Sequence, residues 1–219
     1  MFGRNGKHGG HSLRRWELAL LLGVAVAALA GGALGAEQSA LADKVIRLHV
    51  IANSDDPADQ ALKLQVRDRI LAEAGDLFDQ GLTRAEAEAA ITARLGDLAA
   101  AGAETVEEAG YDYPVTASLE ESVWFPTKEY EDFALPAGEY TALRIVIGEG
   151  GGQNWWCVVF PPLCLGSVTE TTAETAASAG FSQDEISLIT GENEGYVVKF
   201  KAMELWDRFC AWLDGQSGQ

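Results

Sequence analysis

The architecture follows from the stretch Lys44-Val-Ile-Arg-Leu-His-Val-Ile-Ala-Asn53 and the segment after it, Ser54-Asp-Asp-Pro-Ala-Asp59. The first part is a short apolar run rich in β-branched residues, which predicts a central strand. In the second part Asp56 is placed to cap a helix, with Pro57 at its first position and Asp59 in its first turn. The chain is therefore expected to pass from a buried strand directly into a helix.

Two helices are predicted after this strand. The first covers residues 57–78 and repeats apolar residues along one face, with Lys63 and Arg67 off that face. The second follows Thr83, which forms a capping box with Glu86 and precedes an Ala-rich stretch. Both helices are expected to cover the same side of a sheet.

From residue 113 onward the pattern alternates between apolar and polar residues. It predicts strands at residues 113–121, 122–131, 140–148 and 155–160, which are separated by turns rich in Pro and Gly. Short turns between successive strands favour antiparallel pairing. We therefore predict an α+β fold with one N-terminal strand, two helices and an antiparallel β-meander with the helices on one face, to which a C-terminal strand and helix are appended.

Residues 1–36 are typical of an export segment. Four basic residues precede a charge-free run of 19 residues at positions 18–36 that is rich in Leu, Ala and Val. At about 1.5 Å per residue, a helix of that length just crosses a hydrocarbon layer of about 30 Å. The segment is predicted to be either a signal peptide, removed by signal peptidase, or an N-terminal membrane anchor. Small residues at 33–35 and 40–42 favour cleavage, and in both cases the following domain is exported.

The chain is strongly acidic. It carries 33 acidic and 16 basic residues, a net charge of −17, and the net charge becomes −20 once residues 1–36 are set aside. Such a surface repels phosphate backbones, so nucleic acid is not expected as a partner. A partner protein is expected to present a basic or polar face.

The exported part is predicted to contain three segments. Residues 44–165 form an exported α+β domain, residues 166–181 are a linker without an apolar period, and residues 182–213 form a C-terminal segment. This last segment begins with a capping box at Ser182 and Glu185, and it is expected to dock on the domain or on a partner.

Cys157 and Cys164 lie on either side of two prolines that can turn the chain and bring the sulfurs together. In an exported domain they form either a disulfide or two free buried thiols, and Cys210 is expected to be a core residue. No metal and no cofactor are expected, because the sequence has no Cys-x-x-Cys motif and a single histidine after residue 36.

The sequence contains few patterns that are typical of a catalytic site. The Gly-rich turn at residues 148–152 lacks the Lys-Ser/Thr and the helix of a phosphate-binding loop, so it is expected to be a hairpin loop. His49 is a candidate base with Ser54 or Asp55 near it, although a histidine inside a strand is more often structural. We predict no catalytic residues, no enzyme activity and no small-molecule substrate.

Aromatic residues beside prolines and turns form the candidate contact surface: Trp124, Phe125, Trp155 and Trp156. Trp155 and Trp156 are adjacent in a predicted strand and therefore point to opposite faces. Aromatic side chains of this kind are common anchors of protein interfaces. The alternative is that the C-terminal segment covers them.

Several segments together resemble the stage II sporulation protein R family of endospore-forming bacteria. They are residues 46–55, 59–63, 125–128, 135–140, 152–157 and 160–164, and the resemblance extends more weakly to residues 188–191 and 198–201. Residues 83–109 and 167–180 depart from the family pattern.

The resemblance implies a signalling protein that is made in the forespore and crosses its membrane into the intermembrane space. There it would be released or tethered, and it would activate a membrane-embedded aspartic protease of the mother cell that cleaves a sigma factor precursor. The resemblance supplies no contact residues. The alternative hypothesis from the residues alone is an exported cell-wall hydrolase that uses His49 and Asp55.

Overall fold

In a computed structural model the chain divides into two compact units, Met1–Ala36 and Glu37–Gln219. The structure describes residues 38–75, 82–130, 133–163 and 172–190 of the second unit, and of the first unit Arg14, Leu22 and Gly23. Within these residues there is no helix with the length and apolar character needed to span a membrane. The predicted export segment, residues 1–36, lies outside the described residues except for Arg14, Leu22 and Gly23, so export stays a prediction.

The second unit is built on a mixed four-stranded sheet. In chain order the strands of the unit are β1 (Ile46–Ile51), β2 (Val115–Phe125), β3 (Lys128–Glu129), β4 (Ala134–Leu135), β5 (Gly138–Ile147) and β6 (Asn154–Phe160). The sheet has the order β2-β5-β1-β6, and β3 pairs with β4 in a separate ribbon. β1 is parallel to β5 and antiparallel to β6, and β2 is antiparallel to β5. The predicted central strand is confirmed.

The α+β class is also confirmed, but the pairing differs from a simple meander. β1 lies between β5 and β6, because the loop after β5 crosses the end of β1 and is bonded to it: Gly151 N donates to Asn53 O and Gly152 N donates to Ala52 O, both at 3.0 Å. The strands predicted at 113–121 and 122–131 are largely one strand, β2, with a register shift between Glu120 and Val123.

Three helices pack on one side of the sheet, called here the helix face. They are α1 (Pro57–Gly75), α2 (Arg84–Ala93) and α3 (Leu95–Glu108). Apolar side chains of the helices share one core with side chains that β1, β5 and β6 point to this face. From α1 they include Leu62, Val66 and Ile70, and from the strands Leu48, Val50, Leu143, Ile145 and Val159. The capping box of Thr83 and Glu86 is confirmed. The single predicted Ala-rich helix is two helices, because the backbone of Arg94 (φ −110°, ψ 8°) is not helical.

A smaller layer covers part of the opposite face. It consists of residues 38–45, the β3–β4 ribbon, α4 (Thr172–Ser178) and α5 (Gln183–Thr190). The prediction of a linker over 166–181 is corrected for its second half, because α4 buries Ala176 completely. α5 begins with the predicted capping box, in which Ser182 N donates to Glu185 Oε2 at 2.7 Å. The predicted strand and helix beyond residue 190 lie outside the described residues.

Candidate interaction surface

The four predicted contact residues differ strongly in exposure. Trp124 is 53% exposed and Trp155 is 36% exposed, whereas Phe125 is fully buried. Trp156 is half-buried and packs against the core of the opposite face. The structure thus leaves Trp124 and Trp155 available to a partner.

Phe125 belongs to the interior, which corrects its prediction as a contact residue. The guanidinium of Arg47 lies over its ring, 4.2 Å from the centroid, and over the ring of Tyr140 at 4.9 Å. Phe125 also makes edge contacts with His49 and Trp156. Pro126 follows at the end of β2, and an aromatic residue beside a proline predicts a surface position, but the strand alternation points Phe125 inward.

The two exposed tryptophans do not form one patch. β2 and β6 are the opposite edges of the sheet, and each carries one of them. Trp124 pairs with Glu139 at the start of β5, whereas Trp155 pairs with Val50 near the end of β1. With about 4.8 Å between strands and about 3.3 Å per residue along them, their Cα atoms are about 25 Å apart. The single aromatic surface predicted from the sequence is therefore two surfaces.

Trp155 is supported by a charged residue of α1, which lies one helical turn from an exposed apolar residue. The guanidinium of Arg67 lies over its ring at 4.3 Å from the centroid, a cation–π contact. Arg67 is held in turn by Asp68, whose Oδ1 accepts from Nε at 2.8 Å and from Nη2 at 2.6 Å. Leu64, one turn before Arg67 on the same helix, is 36% exposed.

The loop between β5 and β6 is fixed against the end of β1. Asn53 Oδ1 accepts from Glu149 N at 3.0 Å, and Asp55 Oδ1 accepts from Gln153 N at 2.8 Å. Gly152 allows this close approach, because a Cβ there would lie 2.2 Å from the carbonyl oxygen of Ser54. The glycine-rich segment is therefore a packed turn, but the predicted hairpin loop is wrong, because β1 lies between the strands β5 and β6 that this segment joins.

The start of α1 belongs to the same hydrogen-bonded network. The carboxylate of Asp59 accepts from Asn53 Nδ2 at 2.8 Å and from Ser54 Oγ at 2.6 Å, and these bonds hold its pKa below the usual value. Lys63 is only 5% exposed, although the sequence placed it off the apolar face. Its Nζ donates to Gln60 Oε1 at 2.6 Å and to Gln153 O at 2.9 Å. Desolvation lowers the pKa of Lys63, an effect that the nearby Asp55 opposes.

His49 lies on the opposite face of the sheet, among Phe125, Trp156 and Arg144. Burial lowers the pKa of its imidazole, and the side chain of Asn154 opposes this shift. Asp55 lies in the loop after β1, where it holds the backbone of Gln153. The structure therefore gives no contact between the two residues of the hydrolase hypothesis.

Cys157 is buried on β6 and takes part in a disulfide. Its predicted partner Cys164 and the remaining Cys210 both lie outside the described residues, so the pairing with Cys164 stays a prediction. Among the described residues there is no group of three or more His, Cys, Asp or Glu side chains placed to hold a metal ion.

Sequence reasoning missed the exposed Leu64 and the contact of Arg67 with Trp155. An apolar residue on the otherwise polar side of α1 was the available signal for Leu64. No local pattern pointed to the contact between Arg67 and Trp155, because it joins a helix to a strand that is far away in the sequence.

Comparison with known proteins shows which family the chain resembles. Residues 42–170 match the family model described as Stage II sporulation protein R (spore_II_R). Stage II sporulation protein R of Bacillus subtilis (strain 168) is 40% identical over 123 residues, which are 56% of this chain and 54% of that protein. The chain thus matches about half the length of this relative. No solved structure matches the chain.

Proposed function

This chain belongs to the stage II sporulation protein R family, and from that premise we propose that it is an exported signalling protein of endospore formation. It is made in the forespore and acts in the space between forespore and mother cell. There it activates a membrane-embedded aspartic protease of the mother cell, and the active protease cleaves the precursor of a mother-cell sigma factor. The chain itself acts without catalysing a reaction.

The observation that carries this proposal is the family match over residues 42–170. This range contains β1, α1, both exposed tryptophans and the loop that is bonded to the end of β1. Two further features support the proposal. The basic and apolar residues of the first 36 positions are typical of export, and the net charge of −20 in the remainder keeps the domain in solution beside anionic membranes.

Activation requires that the chain binds the active state of the protease more tightly than the inactive state. A tenfold preference shifts the equilibrium tenfold, which corresponds to about 1.4 kcal/mol. Conversion of a protease that is about 1% active into one that is about 99% active requires a preference of roughly 10⁴. A rigid surface with a few strong anchors is suited to such a difference in affinity.

Co-expression of the full chain, the protease and the sigma factor precursor in a heterologous host tests the proposal. Precursor cleavage is expected only when all three are present. A variant that lacks residues 2–36 is expected to accumulate inside the host and to give no cleavage. Cleavage at the same rate without this chain, or its absence when all three proteins are present at normal levels, contradicts the proposal.

Mass spectrometry of the exported protein separates release from tethering. The loss of about 35 to 42 residues, as the small-residue sites predict, indicates cleavage by signal peptidase and release. An intact N-terminus indicates a retained anchor. Protein found only in the cytosol contradicts the export on which the proposed function depends.

A further inference from the structure

We propose that the protease docks on the surface around Trp155 and that it does so through a basic segment of its own. This surface, called here the Trp155 surface, consists of Asp55, Leu64, Arg67, Asp68, Glu149 and Trp155. The inference rests on the proposed function, because that function supplies the partner. It adds which of the two exposed tryptophans is the anchor and what chemistry the partner presents to it.

Exposed apolar area supports this location. Within the described residues of the second unit the exposed large apolar side chains are Leu64, Trp124 and Trp155. Two of these three lie near the same residue, because Leu64 is one helical turn from Arg67 and the Arg67 guanidinium lies over the Trp155 ring. Trp and Arg are the residue types most often found as energetic anchors of protein interfaces.

The Trp155 surface is also held in place before a partner arrives. Asp68 fixes Arg67, Lys63 fixes the carbonyl of Gln153, and Asp55 fixes its amide. Side chains that are already ordered lose little conformational entropy on binding. Trp124 lacks such support among the described residues: no ring or cation contact holds it, and it follows Ser122, whose φ is 54° in an irregular part of β2.

The charges of the Trp155 surface determine the chemistry of the partner. Asp55, Asp68 and Glu149 are exposed carboxylates at its rim. Of the two cations nearby, Arg67 is paired with Asp68 and Lys63 is buried. The same pair neutralises Asp68, so the charge offered to a partner comes from Asp55 and Glu149 and is negative beside an apolar centre. Lysine and arginine side chains fit this arrangement, whereas an acidic protein segment or an anionic lipid is repelled.

Two matched pairs of variants in the full chain test the inference. The first pair is Trp155→Ala and Trp124→Ala. The second pair removes three charges from each surface: Asp55→Asn, Asp68→Asn and Glu149→Gln at the Trp155 surface, and Glu121→Gln, Glu129→Gln and Glu139→Gln around Trp124. The readouts are association with the detergent-solubilised protease as a function of NaCl concentration, precursor cleavage in the co-expression host, and thermal unfolding.

We expect Trp155→Ala to weaken association at least tenfold and Trp124→Ala to change it less than threefold. The triple variant at the Trp155 surface is expected to weaken association about tenfold at low salt and to reduce its salt dependence, and the matched triple variant is expected to do neither. Amide replacements keep the acceptor oxygens, so a folded protein remains in which only charge has changed.

Three results overturn the inference. One is full association of a folded Trp155→Ala variant, and another is a larger loss at the Trp124 surface. The third is a Trp155→Ala variant that loses thermal stability but not association with the protease. That result would mean that other residues of this chain, and not the protease, cover Trp155. If the unaltered chain neither binds the protease nor promotes cleavage, the proposed function itself fails. If the unaltered chain acts and the variants act equally well, only the docking surface is wrong.

Discussion

The two faces of the sheet are buried in different ways. On the helix face, mainly aliphatic side chains such as Leu48, Val50 and Ile145 meet the apolar stripes of α1 to α3. On the opposite face, Arg47 and His49 lie among aromatic rings, and the layer on this face consists of short helices and a two-stranded ribbon. Long helices can bury a continuous aliphatic face. Several short segments leave polar side chains in the interior, and these side chains need aromatic rings and hydroxyl groups as neighbours.

The electrostatic environments of the two faces differ for the same reason. Nη2 of Arg47 donates to Tyr130 Oη at 3.0 Å, but its Nε and Nη1 have no hydrogen-bond partner among the described residues. Burial raises the pKa of Tyr140, which lies below the same guanidinium, to about 12. The opposite face therefore contains a desolvated cation, whereas the stability of the helix face comes from packing.

The largest expected difference in the free energy of unfolding is between substitutions of two adjacent residues of β1, one pointing to each face. Leu48→Ala should lower the free energy of unfolding by about 3 kcal/mol, because it leaves a cavity in the helix-face core. Arg47→Met should change it by at most about 1 kcal/mol, because Met keeps the packing against the rings and removes desolvated N–H groups. Urea unfolding of both variants measures the difference. A loss for Arg47→Met as large as that for Leu48→Ala would show that the buried guanidinium has stabilising partners beyond the described contacts.

A second comparison uses one substitution at two glycines. Gly152→Ala should lower the free energy of unfolding by about 2 kcal/mol, because the added Cβ meets the backbone of Ser54 at the end of the sheet. Gly96→Ala, on the exposed side of the helix layer with open space around it, should raise the free energy by about 0.5 kcal/mol. The same unfolding experiment checks both signs, and equal effects would refute the tight loop packing.

The third expected effect is a pH dependence that belongs to the opposite face. Burial lowers the pKa of His49 in the folded state, so the unfolded chain binds more protons below its ordinary pKa of 6.5. Stability is therefore fully present above pH 6.5 and decreases as the pH falls through that value. His49→Phe, which keeps a ring beside Phe125 and Trp156, should remove this part of the dependence. If the unfolding free energies of the unaltered chain and of His49→Phe change with pH in the same way, the assignment to His49 is wrong.

Around pH 4 the pH dependence of stability comes from carboxylates. Burial opposes ionisation of Glu120, yet hydrogen bonds from Ser118 and Arg144 hold the pKa of its carboxyl below the usual value. A lowered carboxyl pKa stabilises the fold above the ordinary value and ceases to do so as the pH falls. The two windows are separated on the pH axis, so one titration of stability resolves them.

The smallest effect is expected for the ion pair on the uncovered part of the opposite face. Arg144 Nη1 lies 3.2 Å from Glu120 Oε1, and both side chains are 38% exposed. Solvent screens such a pair, so Glu120→Gln should cost at most about 0.5 kcal/mol at pH 7. A double-mutant cycle with Arg144→Gln measures the coupling. A coupling several times larger would mean that this part of the face is more deeply buried than its exposure indicates.

The sequence was most informative where the signal is local. The strand at 46–51, the helix that starts at Pro57 and the capping boxes at Thr83 and Ser182 were all predicted and are all present. Caps and periodic apolar residues depend on neighbours within a few positions, so they can be read without knowledge of the fold. The helix α4 was missed because a short Ala-rich segment has no period of its own.

The candidate surface was predicted only in part, because exposure depends on what covers a residue. Trp124 and Phe125 are adjacent and chemically alike, yet one is exposed and the other is fully buried. The difference arises from the alternation of β2 and from the position of Arg47 on another strand. Composition indicated aromatic contact residues, but it could not indicate which of them remain outside.

The amino-acid sequence by itself determined the order of the elements, their caps, the acidic character of the domain and its family resemblance, since each of these is encoded in single segments. Tertiary structure alone decided that β1 lies between β5 and β6, that the tryptophans occupy opposite edges, and that Arg67 supports Trp155. These outcomes depend on contacts between distant segments, and such contacts form only when the whole sheet and its two layers pack together.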